Sequence, residues 1–395
     1  MRHSRAAAEA SEGAIVGLGM TVAARADGRS AADFAATAVR AAVADAGLRM
    51  EDVDGLIVSC GRGGGVDITL ARELGLGDLG ILTQMAQAGS TANAQVQMAC
   101  LAVRGGLAST VVCVHADAPL QPSVRTGETY RRPTPAVGVG LPALALPGAP
   151  RTATAGYALA ARRHMAHYGT TSEQFGAVAV AQREWASRNP LARFREPMTI
   201  ADHQASREIV DPLRLFDCCM VSNGAVAVVV TSADRSHDLA RPGVHVWGWA
   251  QTHPSYRMAR DSSWGLRTGA AVAGPKAMKR AGVGPDDIDV RQIYDCFTYT
   301  VLVTLEDYGF CEKGEGGALA ESGALAPGGR LPTNTGGGQL SSFYLWGMTP
   351  LSEAVLQVRG TAGDRQLDRH DVAIVSGNGG ILAHHSTLVL GAGPR

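Results

Sequence analysis

The chain has 395 residues, of which 46% are apolar and 18% charged, and its formal net charge is zero. That length holds two to three ordinary domains, and the composition is that of a globular enzyme rather than a disordered chain. Charge balance excludes a nucleic-acid or acidic-membrane partner as the reading of first choice. No apolar run reaches the roughly 18 residues of a spanning helix, and no signal-peptide core follows the basic start, so the expected compartment is the cytoplasm.

In chain order, residues 42–59 (AVADAGLRMEDVDGLIVS) read as the end of a helix, a turn at Gly47, a double acid and an apolar strand. Residues 85–105 (MAQAGSTANAQVQMACLAVRG) read as a helix that leads to a strand at 110–115. The stretch 116–237 breaks this rhythm. It opens with PTPAVGVGLPALALPGAP at 133–150, an irregular composition, continues as helices at 157–168 and 172–188, and returns through the buried strand that starts at Asn223. Then the first signals recur. Residues 277–294 (AMKRAGVGPDDIDVRQIY) repeat 42–59 at an offset of 235, and Leu356-Gln-Val-Arg-Gly360 repeats Leu101-Ala-Val-Arg-Gly105 at an offset of 255. Two matches in the same order indicate a duplicated α/β unit rather than a solenoid, with mainly parallel sheets under helices. The division that follows is an N-terminal half at 1–115, a loop or cover domain at 116–222, the last strand of the first half at 223–240, and a C-terminal half at 241–395.

The seven cysteines are irregularly spaced, and no pair has the CxxC spacing of a zinc site; they read as reduced, mostly buried thiols. The only lysines are Lys276, Lys279 and Lys313, all in segments that read as solvated, which leaves no candidate for a Schiff base. The histidine pairs His164/His167 and His384/His385 read better as structural groups than as metal ligands, so no metal site is expected.

Five segments carry a family likeness. Residues 162–194 resemble the loop-domain helices of thiolases, in particular the sterol-carrier-protein type. DCCMVSNGAVA at 217–227, YDCF at 294–297, NTGGGQLSSFYLWG at 334–347 and SGNGG at 376–380 resemble further motifs of that family, in family order. The resemblance implies the five-layered α-β-α-β-α thiolase fold with an inserted loop domain. It also places a thiolase's nucleophilic cysteine at Gly89, and shifts of a few residues reach Ala86, Ala88 or Ser90 but never Cys. The 255-residue offset pairs Gly89 with Tyr344, which stands where the family has its catalytic histidine. Tyr294 stands at the His or Asn position of the other motif, and Ser376 or Gly377 replaces the C-terminal cysteine. Without a thiolate there is no acyl-enzyme.

The chemistry left is retro-aldol cleavage: a base takes the proton of a β-hydroxyl, the Cα–Cβ bond breaks, and an acid quenches the acyl-CoA enolate. Tyr294 and Tyr344 are the candidate acid–base groups, and Asp295 either orients a phenol or caps the following helix. Gly89, Ser90, Gly337, Gly338, Gly379, Gly380 and His384 are candidates for contact with the thioester, and Arg131, Arg132 and Arg162 for the CoA phosphates. The pattern resembles the Cys-less thiolase-like aldolases, or lipid-transfer proteins, of bacterial steroid side-chain degradation. That resemblance implies no tightly bound cofactor, coenzyme A as part of the substrate, a homodimer, and a small OB-fold partner bearing a zinc ribbon. The alternatives are a condensing enzyme or acyltransferase of secondary metabolism, with Cys296 as its best nucleophile, and a non-catalytic acyl-CoA-binding subunit.

Overall fold

The computed structural model describes residues 12–23, 25–122, 152–254 and 262–395. The first half runs β1 (Ala14–Ala23), α1 (Ala31–Asp45), β2 (Gly55–Cys60), α2 (Leu70–Glu73), β3 (Ile81–Gln84), α3 (Thr91–Arg104) and β4 (Val111–Asp117). The central region holds α4 (Ala153–Tyr168), α5 (Ser172–Ser187), α6 (Ile200–Ala205) and the short ribbon of β5 (Glu208–Val210) and β6 (Leu213–Arg214), and β7 (Asn223–Thr231) returns to the first sheet. The second half runs β8 (Val244–Thr252), α7 (Ala270–Arg280), β9 (Val290–Gln292), α8 (Thr298–Asp307), α9 (Gly316–Glu321), α10 (Met348–Val358), β10 (Val372–Gly379) and β11 (His384–Gly391). The segment 133–150 and Arg131 and Arg132 lie outside the described residues.

The strand order is β3-β2-β4-β7-β1-β8-β11-β10-β9. Its two halves match: β2-β4-β7-β1 and β9-β10-β11-β8 hold corresponding strands in corresponding places, so the duplication read from the sequence is a duplication of topology. Among the described residues the halves meet edge to edge through two paired positions, Ala14 with His245 and Ile15 with Val244. The sheets are mixed rather than mainly parallel. Only β3-β2-β4 and β9-β10 are parallel; β7 and β1, like β11 and β8, run against their neighbours. A strand buried on both faces reads as one apolar run in either direction, so its sequence did not distinguish the two.

Strand parity sorts the core into layers. Val112, Val114, Ala227 and Val229 face Phe34, Val39 and Val43 of α1 on one outer side. Val111, Cys113, Val228, Val375 and Leu388 face inward onto Val96 and Cys100 of α3 and Leu351 and Val355 of α10. Ile374 and Val389 face Ala273 and Ala277 of α7 on the other outer side, together with α8 and the cover helices through Phe175 and Leu302. The result is helix, sheet, central helices, sheet, helix. The N-termini of α3 and α10 thus lie in the middle of the molecule, where the reactive positions fall.

A buried polar contact ties the cover to the second half, and its carboxylate is shared with Lys313. His164 on α4 contacts Glu306 on α8 at 3.1 Å, and Lys313 contacts Glu306 and Asp307 at 3.0 Å each. Lys313 is therefore not the solvated charge that its sequence context implied. Two buried carboxylates hold it protonated and raise its pKa against the burial that lowers it, which makes it unfit for imine chemistry. Lys276 and Lys279 are exposed. Among the described residues no helix is long and apolar enough to cross a membrane, and none of their His, Cys, Asp and Glu form a group of three that could hold a metal ion.

Candidate active site

The site is built where the start of α3, the segment after β9, the turn before α10 and the end of β10 converge. Residues 87–90 form a tight turn whose hydrogen bonds are internal. Thr91 Oγ1 accepts from the Gln87 amide at 2.8 Å and donates to the Ala88 carbonyl at 2.7 Å, while Ser90 Oγ donates to the Gln87 carbonyl at 2.9 Å. From the second half, Ser386 Oγ donates to the Ser90 carbonyl at 2.8 Å. Ala88 is held at φ +48°, a left-handed conformation uncommon for a residue with a side chain.

Tyr294 follows β9 and is buried; its amide donates to Ser376 Oγ at 2.8 Å. Tyr344 is half-buried, and its amide donates to Ser222 Oγ at 2.9 Å. The two phenol oxygens stand 3.5 Å apart. A β-carbon built on Gly89 would lie 2.1 Å from Tyr294 Cζ and 2.3 Å from its hydroxyl. Gly89, Tyr294 and Tyr344, distant in sequence, therefore share one small volume. Burial, then the Tyr344 phenol and the Cys296 thiol, push the Tyr294 pKa well above the ordinary tyrosine range, because a phenolate there would be poorly solvated.

The other candidates divide. Gly379 and Gly377 pack on the Gln87–Ser90 turn: a β-carbon at 379 would be 2.2 Å from the Gln87 carbonyl oxygen, and one at 377 would be 2.9 Å from Ser90 Cα. Gly380, at φ +64°, neighbours His384. The Nδ1 atoms of His384 and His253 are 3.1 Å apart, and burial followed by His253 lowers the His384 pKa. His385 is buried against the Tyr308 hydroxyl at 2.9 Å. Gly337 and Gly338 do not face the phenols. Their β-carbons would strike Ala186 of α5, and Asp295 with Gln182, so these glycines serve close packing behind the site. Arg162 is ion-paired with Asp211.

Asp295 also points away from the phenols and does not cap α8. Its carboxylate accepts from the Gln339 amide at 2.8 Å, the Leu340 amide at 3.3 Å and Gln339 Nε2 at 3.1 Å. It thereby caps the single π-type turn Gly338–Ser342 that leads to Tyr344. Burial pushes its carboxyl up to about 7 despite these bonds.

The thiols beside the site, Cys296 and Cys219, are disfavoured as thiolates. Cys296 is held at about 12, chiefly by burial, although the Tyr157 and Thr300 hydroxyls bond to it. Burial likewise raises Cys219, whose amide donates to the Cys296 carbonyl at 3.0 Å. An acyltransferase would need a thiolate, and neither of these thiols supplies one. Nothing in the sequence around Tyr157 signals its contact with Cys296, and Ser222 lies within the 217–227 motif without chemistry of its own there.

A duplicated five-layer fold with glycine at the turn that opens its central helix, and two phenols facing that glycine, defines a thiolase-fold protein without a thiolate. Residues 250–392 match the family model "Thiolase C-terminal domain-like". The chain is 40% identical over 391 residues to the steroid side-chain-cleaving aldolase of Thermomonospora curvata, covering 96% of this chain and 97% of that one. It is also 40% identical over 388 residues to the 17-hydroxy-3-oxo-4-pregnene-20-carboxyl-CoA lyase of Mycobacterium tuberculosis, covering 96% and 99%. The solved Ltp2-ChsH2(DUF35) aldolase superposes with a TM-score of 0.85 at 38% identity, over 96% of this chain and 97% of that one. Human mitochondrial 3-ketoacyl-CoA thiolase shares the fold at a TM-score of 0.70 and 16% identity, over 97% and 99%. This chain belongs to the thiolase-like aldolases.

Proposed function

We propose that the protein cleaves the Cα–Cβ bond in the side chain of a steroid β-hydroxyacyl-CoA that carries a tertiary alcohol, releasing a ketone and a short acyl-CoA. The observation that carries this reading is the phenol pair, 3.5 Å apart beside a glycine in place of a nucleophile. The full-length identity to a steroid side-chain-cleaving aldolase and a carboxyl-CoA lyase supports the substrate class.

A relay suits two neutral phenols. The β-hydroxyl proton passes to the Tyr344 oxygen as the Cα–Cβ bond breaks and the ketone forms. The Tyr344 proton passes to Tyr294, and the Tyr294 proton passes to Cα of the enolate. One proton moves from the β-hydroxyl to Cα, and neither phenol is left ionised. Burial keeps Tyr294 protonated, which suits the donor's part. In this reading Ser90, Gly379, Gly380 and His384 contact the thioester, and Asp295 acts through the turn that leads to Tyr344. Coenzyme A enters as part of the substrate, and the reaction calls for no other cofactor.

The partner in this reading is a small OB-fold, zinc-ribbon protein, supported by the DUF35 component named in the solved relative. The test is incubation of the chain, alone and with such a partner, with a tertiary-alcohol steroid thioester, following ketone and acyl-CoA by mass spectrometry. Release of both in equal amounts is expected. Retention of intact thioester in both preparations would sink the reading.

A further inference from the structure

We infer that Gly89 sets the chemistry of this site, because the space left by its missing side chain is the space in which the Tyr294 phenol stands. A β-carbon at 89 would come within 2.1 Å of Tyr294 Cζ, 2.3 Å of its hydroxyl and 2.2 Å of the Asn378 carbonyl oxygen. These separations are far inside van der Waals contact, where even a gap of half an ångström changes the packing energy. The turn cannot back away. Ser386 Oγ holds the Ser90 carbonyl at 2.8 Å, and a β-carbon at Gly347 would be 2.6 Å from the Gly89 carbonyl oxygen, so α10 closes the opposite side. The ring cannot move freely either, because it is buried and the Tyr294 amide is anchored to Ser376 at 2.8 Å.

A side chain at 89 and a phenol at 294 are therefore alternative occupants of one volume. Gly89 is a positioning residue: it permits the hydroxyl of Tyr294 to reach that of Tyr344. Gly89→Cys does not restore acyl transfer, since its Cβ meets both the ring and the Asn378 carbonyl before the sulfur is placed.

The activity arm of the test rests on the aldolase reading; the structural arm does not. The full chain is labelled with 3-fluorotyrosine, and the resonance of Tyr294 is assigned by its loss in Tyr294→Phe. In Gly89→Ala that resonance is expected to shift, turnover to fall about 100-fold or more with KM changed far less, and Gly89→Ala/Tyr294→Phe to be no slower than the slower single variant. An unshifted resonance, or losses that multiply, would overturn the inference. If Gly89→Ala does not fold, the comparison passes to Gly89→Ala/Tyr294→Ala. Recovery of a folded chain supports competition for the volume; failure to recover makes the Asn378 carbonyl, 2.2 Å from that β-carbon, the obstacle and overturns the part given to the phenol. If the wild type cleaves no thioester, the aldolase reading fails while the fluorine shift still decides the role of Gly89.

Discussion

At the scale of single residues, the chemistry turns on which groups hold protons. Tyr294 has its pKa raised, so its donor form is lost only as pH rises through a value above the ordinary 10. Cleavage by the wild type is expected to show no alkaline fall from Tyr294 below about pH 10, and Tyr294→Phe and Tyr344→Phe to lower kcat by roughly 100-fold or more. A pH–rate profile with a limb near neutrality that vanishes in Tyr294→Phe would contradict this assignment. The thiols make the complementary case. Cys100, Cys296 and Cys311 sit at about 12 through burial, and Cys113, Cys218 and Cys219 are also raised. Iodoacetamide at neutral pH, under conditions that inactivate a thiolase, is therefore expected to leave turnover intact. Inactivation that tracks alkylation of Cys296, mapped by mass spectrometry, would restore a covalent mechanism to consideration.

At the scale of elements, the turn Gly338–Ser342 shows how a buried carboxylate couples stability to pH. Asp295 is raised from 3.8 to about 7, so between those values the folded chain holds a proton that the unfolded chain has released. The contribution of Asp295 to stability then falls as pH rises through that window and levels off above it, against the opposite slope from His115 and His385, which burial lowers to about 3; it is on the order of 4 kcal/mol at most. Asp307 is raised too and adds slope in the same direction as Asp295. Asp295→Asn is expected to make the slope of Tm against pH between about 4 and 7 more positive than in the wild type; equal slopes in the two proteins would place the Asp295 pKa near its ordinary value. This turn also marks a limit of reading by sequence. Asp295 beside Tyr294 looks like a partner for the phenol or a cap for α8, but its acceptors are spent 44 and 45 positions away, on Gln339 and Leu340. Gly337 and Gly338 look like a cradle for ligand, yet they face α5 and Asp295. Which backbone amide a carboxylate caps depends on tertiary packing, which local residue type does not encode. Gly89 and Tyr344 were legible because the 255-residue repeat and the resemblance converged on them, and both derive from the duplicated topology; Tyr294 was legible through the resemblance alone.

At the scale of the whole molecule, the duplication was legible for the same reason, whereas strand direction and the state of Lys313 were not, since each depends on what lies across an interface. β3 ends the sheet, pairs only with β2 among the described strands, and has no buried residue. Leu82 on β3 is 42% exposed, and Met98 and Leu101, on one face of α3, are 39% and 44% exposed. Leu107, 60% exposed, packs its backbone against Gly80 just before β3. An unpaired edge strand flanked by bare aliphatic side chains invites strand pairing, and proteins that leave such an edge uncharged generally cover it. A two-fold axis beside β3 would pair the strand with its copy and bury the same leucines from both sides, an isologous arrangement that closes on itself. This is the form we propose for the homodimer. Light scattering on the purified chain is then expected to give twice the 40.9 kDa of one chain. Leu82→Glu/Leu101→Glu, which sets like charges against each other across that axis, is expected to shift the mass to one chain while leaving the far-ultraviolet circular dichroism unchanged. A wild type that scatters as a single chain at micromolar concentration, or a double variant that stays paired, would move the interface away from β3.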